Sequence, residues 1–243
     1  MTSTLLVSPA DLAAAEVTVE GDAYRHLFRA RRLAAGDRLR LADGAGAARW
    51  AEVAAVDRRS ARMVPGEPAP APEPALRVHL LVAAPKKERA AWLVEKATEL
   101  GVAAVRLIET GRTPREFGDG TLRRLERIAA AAFEQCGRGR LPELSGTHAW
   151  EDVAALLDRS APEAARWVLD LDPDAAPARD LVDGTADGAA ALLVGPEGGW
   201  SDDERRDLAA WGCRPVRLGP TVLRVETAAL AGAALLLAGG GPG

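Results

Sequence analysis

The sequence predicts an α/β protein of two domains: a small β-barrel-like domain, then a larger one built on a mostly parallel sheet. Three observations carry this. Pro65-Gly66-Glu67-Pro68-Ala69-Pro70-Ala71-Pro72-Glu73-Pro74-Ala75 divides the chain. Proline fixes φ and removes a backbone donor, so this stretch is expected to form neither helix nor ladder and to act as an extended spacer. Ahead of it, short runs alternate in polarity; behind it, strand-like and helix-like segments take turns, the pattern of a parallel sheet covered on both faces. At 243 residues and 48% hydrophobic content, the chain can bury a small core beside a medium one. The expected boundaries are 1–66, a linker at 67–75, and 76–243.

Within the first part, residues 22–33 alternate arginines with Tyr24, Leu27, Phe28 and Leu33. One reading is an amphipathic helix with solvated arginines; the other makes Arg25, His26, Arg29, Arg31 and Arg32 contacts to a nucleic-acid backbone or base. Residues 38–42, 48–53 and 61–64 alternate as strands, with Asp43-Gly44 as a turn. After the linker, strands are expected at 76–83, 103–109, 166–171, 189–194 and 214–218. Helices are expected at 86–100, 120–137, 150–157, 201–211 and 225–238. Gly101 suits a helix stop, and Ser201-Asp202-Asp203-Glu204 reads as a capping box with acids in the first turn.

Net charge is only −4, but residues 86–140 carry twelve Lys/Arg against eight Asp/Glu, whereas 150–215 carry six against fifteen. That asymmetry suits a protein offering one face to a polyanion. The three lysines, Lys86, Lys87 and Lys96, share one eleven-residue window. They are either a chance cluster in an arginine-rich composition or compact charges wanted for phosphate or a partner carboxylate. Lys96 itself either snorkels or pairs with Glu95, Glu99 or an acid of the site. Cys136 and Cys213 lie far apart, and His26, His79 and His148 are scattered, so neither a disulfide framework nor a metal site is expected. The longest apolar stretch, Thr227 to Gly239, is too short for a bilayer, and no leader pattern opens the chain, so a cytoplasmic protein is expected.

The chemistry concentrates near the C-terminus. Leu193-Val194-Gly195-Pro196-Glu197-Gly198-Gly199-Trp200 and Leu218-Gly219-Pro220-Thr221-Val222-Leu223-Arg224-Val225-Glu226-Thr227 each follow a strand and lead into a helix. Glycines after a buried strand let the backbone approach a ligand, and ligands of such sheets lie outside the carboxyl ends of the strands. The two turns are therefore expected to wall one small-molecule pocket. Neither fits G-x-G-x-x-G or G-x-x-x-x-G-K-[ST], which disfavours dinucleotide and P-loop readings. Arg224 and Glu226 stand at its mouth, either as an ordinary helix N-terminus or as reacting groups. Glu134, Gln135 and Cys136, with Arg138, either cap a helix or belong to a site.

Taken together, these motifs resemble the bacterial 16S ribosomal RNA uridine-N3 methyltransferases of the SPOUT superfamily. The resemblance runs through His26-Leu27, Arg31-Arg32-Leu33, Gly36-Asp37, Asp43-Gly44, Lys96 to Val102, Glu134-Gln135-Cys136 with Arg138, and the two glycine turns. Two positions depart from the family pattern: Val225 stands where threonine is usual, and Cys136 where serine is common.

The resemblance implies a PUA-like β-barrel followed by a SPOUT-type α/β domain whose C-terminal segment forms a trefoil knot. It implies S-adenosylmethionine bound in bent form by Leu171, Gly195, Glu197, Gly198, Gly199, Leu218, Gly219, Val222, Leu223 and Arg224. Arg224 and Glu226 become the catalytic pair, with Arg224 stabilising the uracil anion and Glu226 orienting Arg224 or taking the proton. RNA contacts fall to Arg25, His26, Arg29, Arg31, Arg32, Lys86, Lys87, Arg112, Arg115 and Arg138. The implied partners are 16S rRNA in the small ribosomal subunit and a second copy of the chain, with no metal and no membrane. Rival readings are a SPOUT ribose 2′-O-methyltransferase, a non-catalytic RNA-binding assembly factor, and an unrelated small-molecule enzyme.

Overall fold

The computed structural model describes residues 3–112, 117–160, 162, 164–185 and 188–239. The chain divides into two compact units. The first comprises residues 1–73 together with 130–141; the second comprises 74–129 and 142–243.

The first unit begins with β1 (Thr4–Leu6), α1 (Pro9–Ala13), β2 (Val17–Glu20) and α2 (Gly21–Tyr24), which runs into a π-helical turn over Arg25–Ala30. Strands β3 (Arg38–Ala42), β4 (Ala48–Val56) and β5 (Ser60–Pro68) follow. They form a five-stranded sheet in the order β1-β3-β4-β5-β2, with β1 parallel to β3 and the other pairs antiparallel. Tyr24, Leu27 and Phe28 pack into the core with Leu39, Leu41, Val53 and Met63. The 22–33 segment thus buries the residues expected of an amphipathic helix, but not in one α-helix. Arg31 and Leu33 donate to the carbonyls of His26 and Leu27 at 3.0 and 3.1 Å, and Arg32 takes a left-handed φ of 59°. The arginines are consequently fanned around a widened turn.

Two expectations for this unit are corrected. Pro65 to Pro68 form no spacer; they extend β5, with Pro65 opposite Ala51 and Pro68 opposite Arg49. The proline N–H groups are not missed, because β2 pairs only as far as Met63 and leaves that side of β5 open. The unit also takes in residues 130–141, which the linear reading kept in the second domain. The helix α4 (Asp119–Cys136) begins in the second unit, and its last turns belong to the first. Phe133 closes over Ala42 and Ala48 there, so β3 is buried on both faces. Arg40, on the second face, donates to the carbonyls of Pro70 (2.8 Å) and Arg138 (3.1 Å).

The second unit carries β6 (Arg77–Ala83), α3 (Lys87–Leu100), β7 (Ala104–Ile108), β8 (Glu143–His148), a 3₁₀ turn (Trp150–Asp152) and α5 (Val153–Ser160). It continues with β9 (Ala165–Leu169), β10 (Ala176–Pro177), α6 (Arg179–Asp183), β11 (Ala189–Val194), α7 (Asp202–Ala210), β12 (Arg214–Arg217) and α8 (Val225–Gly239). All pairs in its seven-stranded sheet, ordered β10-β12-β9-β11-β6-β7-β8, are parallel. The strand expectations match within about two residues, while β8, β10 and α6 were not foreseen. Strands β6, β7 and β11 are buried almost throughout, as central parallel strands must be. Helices α5 and α7 cover the face carrying Leu81, Val168 and Leu193. On the other face α8 approaches so closely that a Cβ on Gly232 would lie 2.6 Å from Leu192.

Gly101 ends α3 at φ 91°, as its position suggested. Lys96 follows the paired reading, donating to Glu95 and Glu99 at 2.8 Å each. A polar row crosses three strands: the His79 ring lies 3.2 Å from Arg106, which pairs with Glu143 at 2.8 Å. Burial and the neighbouring Arg106 and Arg77 guanidinium groups lower the His79 pKa to about 4, so its imidazole is neutral at pH 7. Among the described residues no helix is long and apolar enough to cross a membrane, and no cluster of metal-ligating side chains occurs.

Candidate active site

The second unit has a pocket of about 260 Å³ at the carboxyl ends of β9 and β11 and the loop after β12. Strand β11 lies between β9 and β6, while β12 lies on the far side of β9, so the connection from β11 through α7 to β12 crosses over β9. Ligands of open parallel sheets bind in the crevice outside such carboxyl ends.

Both glycine turns wall this pocket. Gly195 to Trp200 form one side, Leu218 to Leu223 another, and Leu169, Asp170 and Leu171 at the end of β9 a third. Trp200 is the pillar. Its buried indole donates to the Leu169 carbonyl at 3.0 Å and packs against Trp150, 5.7 Å between centroids. The first turn must pass directly over that ring: a Cβ on Gly195 would lie 2.7 Å from Trp200 Cε2. Only glycine leaves room for both.

The turn is fixed from beneath by α7. Ser201 accepts from the Glu204 backbone N–H at 3.2 Å, and the Glu204 carboxylate accepts from the N–H groups of Ser201 (2.7 Å) and Gly111 (2.9 Å). This is the expected capping box, extended so that buried Glu204 also ties down the loop after β7. Arg112 from that loop donates to the carbonyls of Gly198 and Gly199.

Nine of the ten residues expected to hold a cofactor line the pocket: Leu171, Gly195, Glu197, Gly198, Gly199, Leu218, Gly219, Val222 and Leu223. Leu171 and Val222 are unusually open for apolar side chains, 46% and 67% exposed. The tenth, Arg224, lies outside the lining, and its exposed guanidinium has no partner among the described residues. Glu226 does not orient Arg224. It is buried and accepts from Arg89 of α3 at 2.5 Å, because α8 packs its first turn against α3 and turns that side chain inward. Its second oxygen, Oε2, is buried without a partner among the described residues. Val225 is buried and lines the pocket wall.

Sequence reasoning missed Leu169, Asp170, Arg205 and Ala228, which lie outside the two turns. Trp200 ends the first glycine motif and was visible as a bulky residue beside it. Arg205, one turn into α7, had no such signal; it reaches the wall by pairing with Asp170.

The residues expected to contact RNA fall into three situations. Arg25, His26, Arg29, Arg31 and Arg32 are exposed around the π-helical turn of the first unit. Lys86 and Lys87 are exposed at the start of α3 in the second unit, while Arg112 is engaged with the glycine turn. Arg138 is corrected: it is buried and held by both oxygens of Glu73, at 3.0 and 2.7 Å, so it is not free for phosphate. Arg115 lies outside the described residues.

Comparison with known proteins agrees with this arrangement. A family model described as an RNA methyltransferase domain matches residues 72–237, and one described as an RNA methyltransferase PUA domain matches 19–65. The Mycobacterium bovis protein named ribosomal RNA small subunit methyltransferase E is 33% identical over 223 residues, covering 88% of this chain and 83% of that one. Its Synechocystis counterpart of the same name is 30% identical over 226 residues, covering 92% and 73%. Among solved structures, the Neisseria gonorrhoeae ribosomal RNA small subunit methyltransferase E bound to S-adenosyl methionine has a TM-score of 0.84 at 24% identity, covering 98% of each chain. A Legionella pneumophila protein in complex with bound SAM reaches 0.80 at 26% identity, again covering 98% of each.

Proposed function

The chain belongs to the ribosomal RNA small subunit methyltransferase E family, and on that premise we propose that it uses S-adenosylmethionine to methylate N3 of a uridine in 16S ribosomal RNA. The observation that carries the reading is the meeting of both glycine turns and the end of β9 around one pocket.

The lining fits this cofactor. Leu171, Leu218, Val222 and Leu223 offer apolar surface to a flat purine, and the glycine turns bring backbone donors and acceptors within reach. Asp170, Glu197 and Arg205 give the same wall polar groups for a ribose and a charged amino-acid end. When bound, the sulfonium supplies a methyl group that passes to uridine N3, the electrons of the broken carbon–sulfur bond staying on sulfur.

The protein's own residues orient and stabilise. N3 lies on the Watson–Crick edge, so the target base must be unpaired or splayed out. Loss of its proton leaves charge on the two flanking carbonyl oxygens. Arg224, exposed beside the pocket with its donors uncommitted among the described residues, is suited to stabilise that charge. Glu226 acts as a positioning residue: with Oε1 on Arg89 and Oε2 away from solvent, it holds the first turn of α8 and leaves the N3 proton to water.

RNA contacts are assigned to Arg25, His26, Arg29, Arg31 and Arg32, with Lys86 and Lys87 as phosphate ligands. The reading includes a cytoplasmic homodimer, with the exposed Trp92 of α3 and Leu235 of α8 as apolar contact surface, and the trefoil knot of the superfamily.

The test is transfer of labelled methyl from S-adenosylmethionine to bacterial small subunits lacking the modification, beside naked 16S RNA, with the product nucleoside identified by mass spectrometry. A 3-methyluridine peak is expected. A 2′-O-methyl nucleoside would shift the acceptor to ribose. RNA binding without any cofactor binding would make the chain an assembly factor.

A further inference from the structure

We propose that Arg205 is the specificity-determining residue for the charged, amino-acid end of the cofactor. The inference rests on the cofactor reading above. Among the described residues, Arg205 is the one cation in the pocket lining, facing a wall whose other charges, Asp170 and Glu197, are acidic. Its Nη1 is anchored to the carboxylate of Asp170, whose side chain is 6% exposed, and lies 3.9 Å from Asp172. Asp170 is in turn oriented by the Asp172 N–H, which donates to its other oxygen at 3.1 Å. The guanidinium is therefore held by one edge. Its Nη2 and Nε groups have no partner among the described residues, and the side chain remains 38% exposed.

A planar guanidinium fixed by one nitrogen offers a second pair of N–H donors, the geometry that grips a carboxylate. A zwitterionic α-amino acid group needs one cation for its carboxylate and an acid for its ammonium, and this wall supplies both, Arg205 beside Asp170 and Glu197. Neutral or purely aromatic ligands would leave the pair unused. Arg205 therefore discriminates ligands that carry the amino-acid end from those that stop at the thioether.

The experiment measures calorimetric affinity of the full chain for S-adenosylhomocysteine and for 5′-methylthioadenosine, which lacks the amino-acid end. The proteins are wild type, Arg205→Met, and the double variant Asp170→Asn/Arg205→Met, which avoids a buried unpaired carboxylate. Wild type is expected to prefer S-adenosylhomocysteine by about tenfold or more, the scale of a charge-assisted hydrogen bond. Both variants should bring the two ligands within about threefold, and the single variant Arg205→Met should keep the affinity for 5′-methylthioadenosine. A preference that persists without Arg205, or equal weakening of both ligands, overturns the inference, the second because it marks a purely structural role. Absence of preference in wild type overturns it as well. Failure of wild type to bind either ligand would instead remove the cofactor reading beneath it, and the inference with it.

Discussion

Replacing Gly195 by alanine should damage the pocket by packing alone. The added Cβ would sit 2.7, 3.0 and 3.1 Å from three carbons of the Trp200 indole. Carbon atoms rest at about 3.5–4.0 Å, so the ring or the turn must shift by at least roughly 0.8 Å. Neither moves freely, since Trp200 is 3% exposed, packed on Trp150 and bonded to the Leu169 carbonyl. Overpacking of this kind costs about 1–3 kcal/mol, and loss of the indole hydrogen bond adds about 1. At about 2–4 °C per kcal/mol for a chain of this size, Tm should fall by roughly 4–16 °C. S-adenosylhomocysteine affinity should drop about tenfold or more, because the displaced turn is the pocket wall. Gly198→Ala is the control, its Cβ meeting only the flexible Arg112 side chain at 3.2 Å; it should cost under about 1 kcal/mol. Scanning calorimetry and ligand titration of both variants decide the matter. Equal behaviour of the two, or an unchanged Tm in Gly195→Ala, would refute the close-packing argument.

Three further outcomes are expected. His79 has a folded pKa of about 4 against 6.5 unfolded, so the unfolded chain binds more protons between those values; stability should be full above pH 6.5 and fall toward pH 4, by up to about 3 kcal/mol. Urea unfolding from pH 4.5 to 7.5 should show that slope flattened in His79→Gln, and parallel curves would remove His79 as its source. Arg89→Met strands the Glu226 carboxylate and should cost about 3–5 kcal/mol, much of it regained in Arg89→Met/Glu226→Gln; a double variant no more stable than the single would contradict the pairing. Arg224→Ala should lower methyl transfer about 100-fold while S-adenosylhomocysteine affinity stays within about threefold, and an undiminished single-turnover rate would end the role given to it.

Much of the second unit was legible because its signals are local. A buried parallel strand such as 189–194 is a continuous apolar run, and the glycine turn after it announces a close approach without any knowledge of Trp200. The capping box at Ser201 could be read from four residues. What escaped the sequence depended on partners distant along the chain. Arg138 looks like any surface arginine until Glu73 is brought against it. Glu226 reads as a partner of Arg224 until α3 places Arg89 beside it. Pro65 argues against a strand only if both strand edges are paired, and here one is open.

The shared helix α4 gives the chain an order of assembly. Residues 1–73 leave the ribosome first, yet their β3 strand has its second face uncovered until Phe133 emerges, and Glu73 waits for Arg138. At synthesis rates of about 5–20 residues per second, the intervening stretch of about 70 residues imposes a delay on the order of 3–14 s. Through that interval Arg40 stays accessible to water and the N-terminal sheet remains open on one side. The amino-terminal unit is thus the first to begin folding and cannot be the first to finish independently: its last piece arrives only after the opening strands and helix of the second unit have been made.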